Sequence, residues 1–322
     1  MLILARIEQS HSADFVAGAG LFIVFNYLFC KIAPAAHLLD IPSGRHTHSK
    51  PVPRTGGLAI AAAVIASMLM LGIDRTGRVW IFSFLILCTG VFDDALRERF
   101  PWWIKFSLQI GISAWFSAVE FPDSIIYSTI LLVVGMNAFN FIDHANGIFA
   151  ISILPVALIS GSPEAVILAG ALAAFFIFNR TGRVFAGDAG THAISFFVIS
   201  QLMQTHRTDA SLYYFPLLAI SFVLLDLIIV TSIRILRGAA PWNSTPDHVM
   251  HRLLRAGFSA NIALFAIAAF CFLIAMTLAV HRNGSGLDSY SWVMLVTFIP
   301  LQLSILLRGS PPCRRSRPYE SG

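Results

Sequence analysis

The chain has 322 residues, 57% apolar and only 12% charged, with a mean hydropathy of +0.75. Ordinary soluble domains carry about a quarter charged residues, so the length, which alone would allow two soluble domains, is overruled and a polytopic membrane protein is expected. The net charge of +5 does not point to nucleic acid, because the basic residues lie in short loops between apolar segments. The opening "MLILARIEQSHSADF" does not read as a signal peptide: its apolar run is short, and Glu8, His11 and Asp14 follow without a small-residue cleavage pattern. Apolar windows then fall at about 13–33, 56–72, 78–92, 104–119, 124–137, 147–160, 164–178, 189–203, 212–233, 261–280 and 290–307. The expected fold is all-α and polytopic, with about eleven transmembrane helices. Residues 1–322 read as one transmembrane unit ending in a basic tail at 308–322. No internal repeat, heptad or low-complexity tract interrupts the series. Cys30, Cys88 and Cys271 lie inside apolar runs and Cys313 in the tail, with no CxxC or Cys/His metal spacing.

Lys and Arg set the orientation. With the N-terminus outside and the C-terminus cytoplasmic, 17 of the 22 basic residues fall on the inside, as the positive-inside rule requires. The inside loops are "HLLDIPSGRHTHSKPVPRTGG" (37–57), "VFDDALRERFPWWIK" (91–105), "NAFNFIDHANG" (137–147), "NRTGRVFAGDAGTH" (179–192) and "RGAAPWNSTPDHVMHRLLRAG" (237–257). Asp93, Asp94, Asp143, Asp188 and Asp247 fall on that same side, as do His46, His48, His144, His192, His248 and His251. The orientation used neither residue type, so the agreement is a second signal.

Each motif has a plain alternative. Asp93 and Asp94 close an apolar helix; they are either a solvated helix end paired with Arg97 and Arg99, or carboxylates held for a cation. "FAGDAGTH" sets Asp188 between glycines, where backbone amides approach phosphate and the carboxylate holds a hard cation, or it is a simple turn. Lys50 and Arg54 either grip phosphates or merely carry inside-loop charge, and His248 and His251 share one helix face. Together, carboxylates, cations and glycine turns on one membrane face suit a divalent ion bridging phosphate oxygens while an Asp handles the nucleophile.

As an ordered set, the five loops resemble the polyprenyl-phosphate N-acetylhexosamine-1-phosphate transferases over about 40–257. "DIPSGRHTHSKPVPRTGG" is similar to D-x-P-x-x-R-K-x-H followed by P-x-P-R-x-G-G, and "VFDDALRERFPWWIKFSLQ" to G-x-x-D-D with a later Lys and Gln at Lys105 and Gln109. "NAFNFID" matches N-x-x-N-x-x-D, and "FNRTGRVFAGDAGTH" resembles the F-N…F-x-G-D-x-G-S segment. Asp226 and Arg234 fall where an Asp and an Arg recur, and "PDHVMHRLLRAGFS" is similar to the D-R-x-H-x-H-H-R-L-L segment. "PVPRTGG" and "HVMHRLL" place the likeness with the branch that initiates O-antigen and common-antigen glycans rather than with the peptidoglycan translocase. The chain departs from the family at His144–Asn146, where Gly-x-Asp is usual, and at Thr245, Pro246 and Met250.

The resemblance implies transfer of a HexNAc-1-phosphate from a UDP-N-acetylhexosamine to undecaprenyl phosphate with release of UMP, at the cytoplasmic face of a bacterial inner membrane. It implies Mg²⁺, or Mn²⁺, on Asp188. It implies catalytic roles for Asp93, Asp94 and Asp143, and substrate contacts from Lys50, Arg54, Asn137, Asn140, Asn146, Asn179, Phe185, His248, His251 and Arg252. Asn179 and Phe185 match positions that meet the uridine. Membrane lipids are the other partners, nucleic acid is not one, and a homodimer is left open. Two alternatives remain: a degenerate, inactive relative, and a membrane transporter, which predicts polar residues spread through the helices and on both faces.

Overall fold

The computed structural model describes residues 9–42, 50–73, 77–96, 99–207, 213–240 and 247–282. His46, His48, Arg97, Thr245, Pro246, the apolar window at 290–307 and the basic tail lie outside them. The elements are α1 (Gln9–Ile32), β1 (Leu39–Asp40), β2 (Val52–Pro53), α2 (Gly56–Leu71), α3 (Arg78–Leu96), α4 (Trp102–Glu120), α5 (Ile125–Ile142), α6 (Ile148–Ser160), α7 (Pro163–Asn179), α8 (Gly187–Thr205), α9 (Phe215–Ala219), α10 (Ser221–Leu236), α11 (Val249–Arg255) and α12 (Ala260–Arg282). Ten of the expected apolar windows coincide with helices, though the window at 212–233 is broken at Ile220 into α9 and α10. Among the described residues, the departures from all-α are a 3-10 turn at Pro122–Ser124 and a two-residue antiparallel ladder, Leu39 opposite Pro53 and Asp40 opposite Val52.

Among the described residues, four segments are long and apolar enough to cross a membrane: His11–Ile32, Arg78–Leu96, Pro122–Ile142 and Ala260–Val280. Gly56–Leu71, Ile148–Ser160 and Pro163–Asn179 are apolar but shorter. The exposed surface of these helices carries large apolar side chains such as Val16, Tyr27, Met70, Phe84, Ile126 and Phe265. Water would not tolerate so much exposed apolar surface. The protein is multi-pass.

At the centre stands α8, buried on all sides from Ala189 to Ser200, as expected for a helix surrounded by others. Its first turn is approached closely by two neighbours. A Cβ on Gly57 of α2 would lie 2.0 Å from Gly190 Cα, and one on Gly90 of α3 would lie 2.3 Å from Ala189 Cα. The loops are joined at the same level by backbone hydrogen bonds. Phe185 N donates to Pro53 O (2.8 Å), while Gly56 N and Gly57 N donate to Phe185 O and Ala186 O (2.9 and 3.0 Å). The first-turn donors of α2, which have no partner within their own helix, are thus satisfied by the 185–186 segment. This close packing brings the 50–57, 91–105 and 179–192 loops to one end of the bundle.

Candidate active site

Consecutive residues of a helix project about 100° apart, so the tandem carboxylates of α3 part company. Asp94, 2% exposed, accepts hydrogen bonds from Asp188 N (3.1 Å) and Ala189 N (3.0 Å). It therefore caps the N-terminus of α8, where a negative charge is favoured. Gly187 makes room for it: its φ is +73°, and a Cβ there would sit 2.6 Å from Asp94 Oδ2 and 2.7 Å from Arg54 O. Gly187→Ala is expected to lose more than about 2 kcal/mol, because the left-handed conformation alone costs roughly 1–2 kcal/mol and the new methyl displaces the cap. Denaturation of the purified protein checks this; unchanged stability would remove the capping role.

Asp93 turns the other way. Lys105 Nζ, on α4, donates to Asp93 Oδ2 (2.8 Å) and to Asp188 Oδ2 (2.6 Å), so one cation holds both carboxylates. Asn140 Nδ2, near the end of α5, donates to Asp188 Oδ1 (3.1 Å) and Thr191 Oγ1 (2.9 Å). Arg54 donates to Asp40 on the short ladder and lies 3.6 Å from Asp94 Oδ1. Asp143 follows the last residue of α5; burial, with Asp188 and Asp94 close by, pushes its carboxyl well above the usual range, and Arg54 opposes this. This lobe holds five carboxylates, Asp40, Asp93, Asp94, Asp143 and Asp188, against the two cations Arg54 and Lys105.

The second lobe has the opposite balance. Asp226, buried in the middle of α10, accepts from Val249 N (2.9 Å) through Oδ1 and pairs with His248 Nδ1 (2.8 Å) through Oδ2. The other His248 nitrogen faces Arg234 Nη2 at 3.4 Å, and the guanidinium of Arg234 lies over the Phe141 ring. Arg237 grips both oxygens of Asp247 (3.0 and 3.1 Å), Arg255 stands 3.9 Å from it, and Arg252 Nε donates to its backbone oxygen. Four arginines, Arg234, Arg237, Arg252 and Arg255, thus meet two carboxylates, Asp226 and Asp247. The lobes adjoin at the loop after α5. Asp143 belongs to the first, and His144 lies flat on His248 in the second, centroids 3.9 Å apart and rings inclined 24°.

Several sequence expectations change with this geometry. Asn179, 1% exposed, gives its amide oxygen to Gly147 N (2.7 Å) and its nitrogen to Val184 O (2.8 Å). It ties two loops together from behind, so a uridine contact does not suit it. His248 has both ring nitrogens engaged and is 4% exposed, so it serves as an anchor rather than a phosphate ligand. Asn137 spends its amide nitrogen on Gln109 Oε1 and Val133 O inside the bundle. Lys50 and Asn146 are exposed, Asn146 beside Gly182; Phe185 and His251 are half-buried; Arg252 is 1% exposed. Lys105, Asp40 and Asp226 received no site role from the sequence, although the motif likeness reached all three. A lysine between two carboxylates is visible only once α4 packs on α3.

Among the described residues no three His, Cys, Asp or Glu side chains converge as a metal cage. Asp188 and Asp93 share one cation, Lys105 Nζ, which suits Mg²⁺: that ion takes one or two carboxylates and completes its octahedron with water and phosphate oxygens. Buried polar atoms without partners include His192 Nε2, on the α8 turn that carries Asp188, and Arg252 Nη1 in the second lobe. Each such atom costs about 1–3 kcal/mol, and in a functional site the partner comes with the ligand.

The profile of glycosyl transferase family 4 matches residues 77–206, which carry Asp93, Asp94, Lys105, Asn140, Asp143 and Asp188. Over those residues the chain is similar to glycosyl transferase family 4. Relatives agree along most of their length. A probable undecaprenyl-phosphate N-acetylglucosaminyl 1-phosphate transferase of Bacillus subtilis is 25% identical, covering 84% of this chain and 85% of its own. The undecaprenyl-phosphate alpha-N-acetylglucosaminyl 1-phosphate transferase of Yersinia pestis is 26% identical, covering 89% and 87%. The protein of the same name in Escherichia coli K12 is 25% identical, covering 86% and 84%. The names of these relatives agree with the polyprenyl-phosphate N-acetylhexosamine-1-phosphate transferases that the loops of this chain resemble.

Proposed function

We propose that this protein transfers a HexNAc-1-phosphate from a UDP-N-acetylhexosamine to undecaprenyl phosphate, releasing UMP and starting a lipid-linked cell-surface glycan. The carrying observation is the pairing of an acid-rich lobe around Asp188 with an arginine-rich lobe around α11, meeting at residues 143–144. The first needs a cation and the second an anion; a divalent ion with a diphosphate is a ligand that answers both. The relatives' names support the same reading. The basic bias of the loops supports a cytoplasmic-facing site in a bacterial inner membrane.

In this reading an oxygen of the lipid phosphate bonds to the sugar-bearing phosphorus. The bond from that phosphorus to the bridging oxygen breaks, and UMP leaves with the oxygen. Asp188 would hold Mg²⁺ or Mn²⁺, which would supply charge neutralisation at the phosphate oxygens. Asp93 orients the acceptor phosphate and takes up its proton where one remains; a phosphomonoester's second ionisation lies near pH 6, so a weak base suffices. Lys105 keeps Asp93 and Asp188 at a fixed separation. Asp94 acts through the α8 N-terminus and is a positioning residue. Arg54 and Arg252 balance phosphate charge.

The test is to incubate membranes containing the protein with undecaprenyl phosphate, Mg²⁺ and a panel of UDP-N-acetylhexosamines. UMP and lipid-linked product should appear with at least one donor, and EDTA should abolish both. No product from any donor, in membranes where the protein is folded, would replace this reading with that of an inactive relative.

A further inference from the structure

We propose that the ammonium of Lys105 competes with the divalent ion for one oxygen of Asp188, so that Lys105 gates the entry of the ion; this rests on the transferase reading above. Lys105 Nζ donates to Asp188 Oδ2 at 2.6 Å and to Asp93 Oδ2 at 2.8 Å. It therefore stands between the two carboxylates, the position a bridging cation would take. The other oxygen of Asp188, Oδ1, accepts from Asn140 Nδ2. That donor is neutral, and a carboxylate oxygen keeps a further lone pair for an ion. The ammonium is a different case. Two cations on one carboxylate repel each other, most strongly where water is partly excluded. Arg54, the other cation of this lobe, is committed to Asp40 and Asp94 and leaves Asp188 to Lys105.

The geometry allows the exchange. Lys105 stands in the first turn of α4, and its ammonium rides on a flexible four-carbon stem with rotatable donors. The side chains of Asp188 and Asp93 keep 26% and 17% exposure, so a hydrated ion reaches them. Mg²⁺ gives up its waters reluctantly and is usually held by one or two carboxylates together with substrate phosphates. With an ammonium already on Asp188, a bare ion gains little by binding. A diphosphate shifts the balance, because it brings oxygens to the ion and negative charge to the lobe. Ion and donor thus enter together, and Lys105 gives up Asp188 while it keeps Asp93.

The experiment measures Mn²⁺ affinity of the purified full-length protein by magnetic resonance, with no substrate present. Lys105→Met should bind Mn²⁺ at least about tenfold more tightly than the parent, the equivalent of one charge-assisted hydrogen bond. Lys105→Gln, a second neutral variant that still offers a donor to one carboxylate, should shift in the same direction. Lys105→Arg, which keeps the cation, should stay within about threefold of the parent. The gain should vanish in Lys105→Met combined with Asp188→Asn, which locates it at this carboxylate. Arg54→Met removes the same charge from the same lobe without freeing Asp188 and should gain less than about threefold. Folded Lys105→Met or Lys105→Gln protein that binds Mn²⁺ no more tightly than the parent would overturn the gate and leave Lys105 as a strut between the carboxylates. Equal gains in Lys105→Met and Arg54→Met would also overturn it, by reducing the effect to net charge. Tighter Mn²⁺ binding in Lys105→Met without transfer from any donor would remove the transferase reading and leave the competition standing; transfer without tighter binding would remove the gate alone.

Discussion

Asp188→Asn is expected to lower transfer by at least about a thousandfold while leaving the protein folded. The fold survives because Asp94 caps α8 through the backbone N–H groups of residues 188 and 189, which the substitution does not touch. The side chain stays isosteric, and its one amide oxygen can still accept from Lys105 or from Asn140, though not from both. What disappears is the negative charge at the centre of the acidic lobe. Charge neutralisation by a bound divalent ion contributes several kcal/mol to a phosphoryl-transfer barrier, and each step of about 1.4 kcal/mol is tenfold in rate. The measurement is initial UMP release across a Mg²⁺ titration, with Mn²⁺ binding followed in parallel by its magnetic resonance signal. Activity within tenfold of the parent at saturating Mg²⁺ would remove Asp188 as the metal-holding residue and shift the role to Asp93. The companion Asp94→Asn should behave differently, since it weakens the α8 cap: stability should fall along with rate.

That contrast between neighbours shows what the sequence carried and what it withheld. Hydropathy located ten helices to within a few residues, because each apolar run is long and bounded by Gly, Pro or charge. The loops bearing Asp93, Asn140, Asp143 and Asp188 could be singled out because polar residues are expensive beside a membrane. Which polar group faces which was not legible. "DD" gives no sign that one carboxylate closes a helix end while the other shares a lysine with Asp188, because the answer depends on how α3 rotates against α8, and the contact at Gly90 fixes that rotation. Asn179 resembled a ligand-facing residue by its motif, yet its position behind the 143–147 and 179–187 loops uses it up in backbone bonds. Met250 stood as a missing histidine in the last loop. In the structure Met250 is buried, and the third imidazole beside His248 and His251 comes from His144, about a hundred residues earlier. No local pattern predicts such a long-range replacement.

Asp226→Ala is expected to cost about 3–5 kcal/mol, the usual loss when one partner of a buried ion pair is removed, and to raise the donor KM in whatever protein remains folded. Asp226 lies in the middle of α10 and is 2% exposed. Its two oxygens are both committed, one to the Val249 amide at the start of α11 and the other to His248 Nδ1. Removing them strands a first-turn amide and an imidazole N–H in a buried setting and releases the arginine-rich lobe from α10. His248 would then lose its fixed orientation beside Arg234, so the damage should reach the donor site although Asp226 itself touches no ligand. Asp226→Asn separates the two contributions. An amide oxygen still accepts from Val249 N, so about half of the stability should return, whereas its NH₂ cannot accept from His248 and the donor KM should stay high. Thermal denaturation in detergent and donor titration on the same preparations give the two readouts. Equal recovery of both in Asp226→Asn would mean that the α11 amide alone ties this lobe to α10 and that the orientation of His248 is of no consequence for the donor.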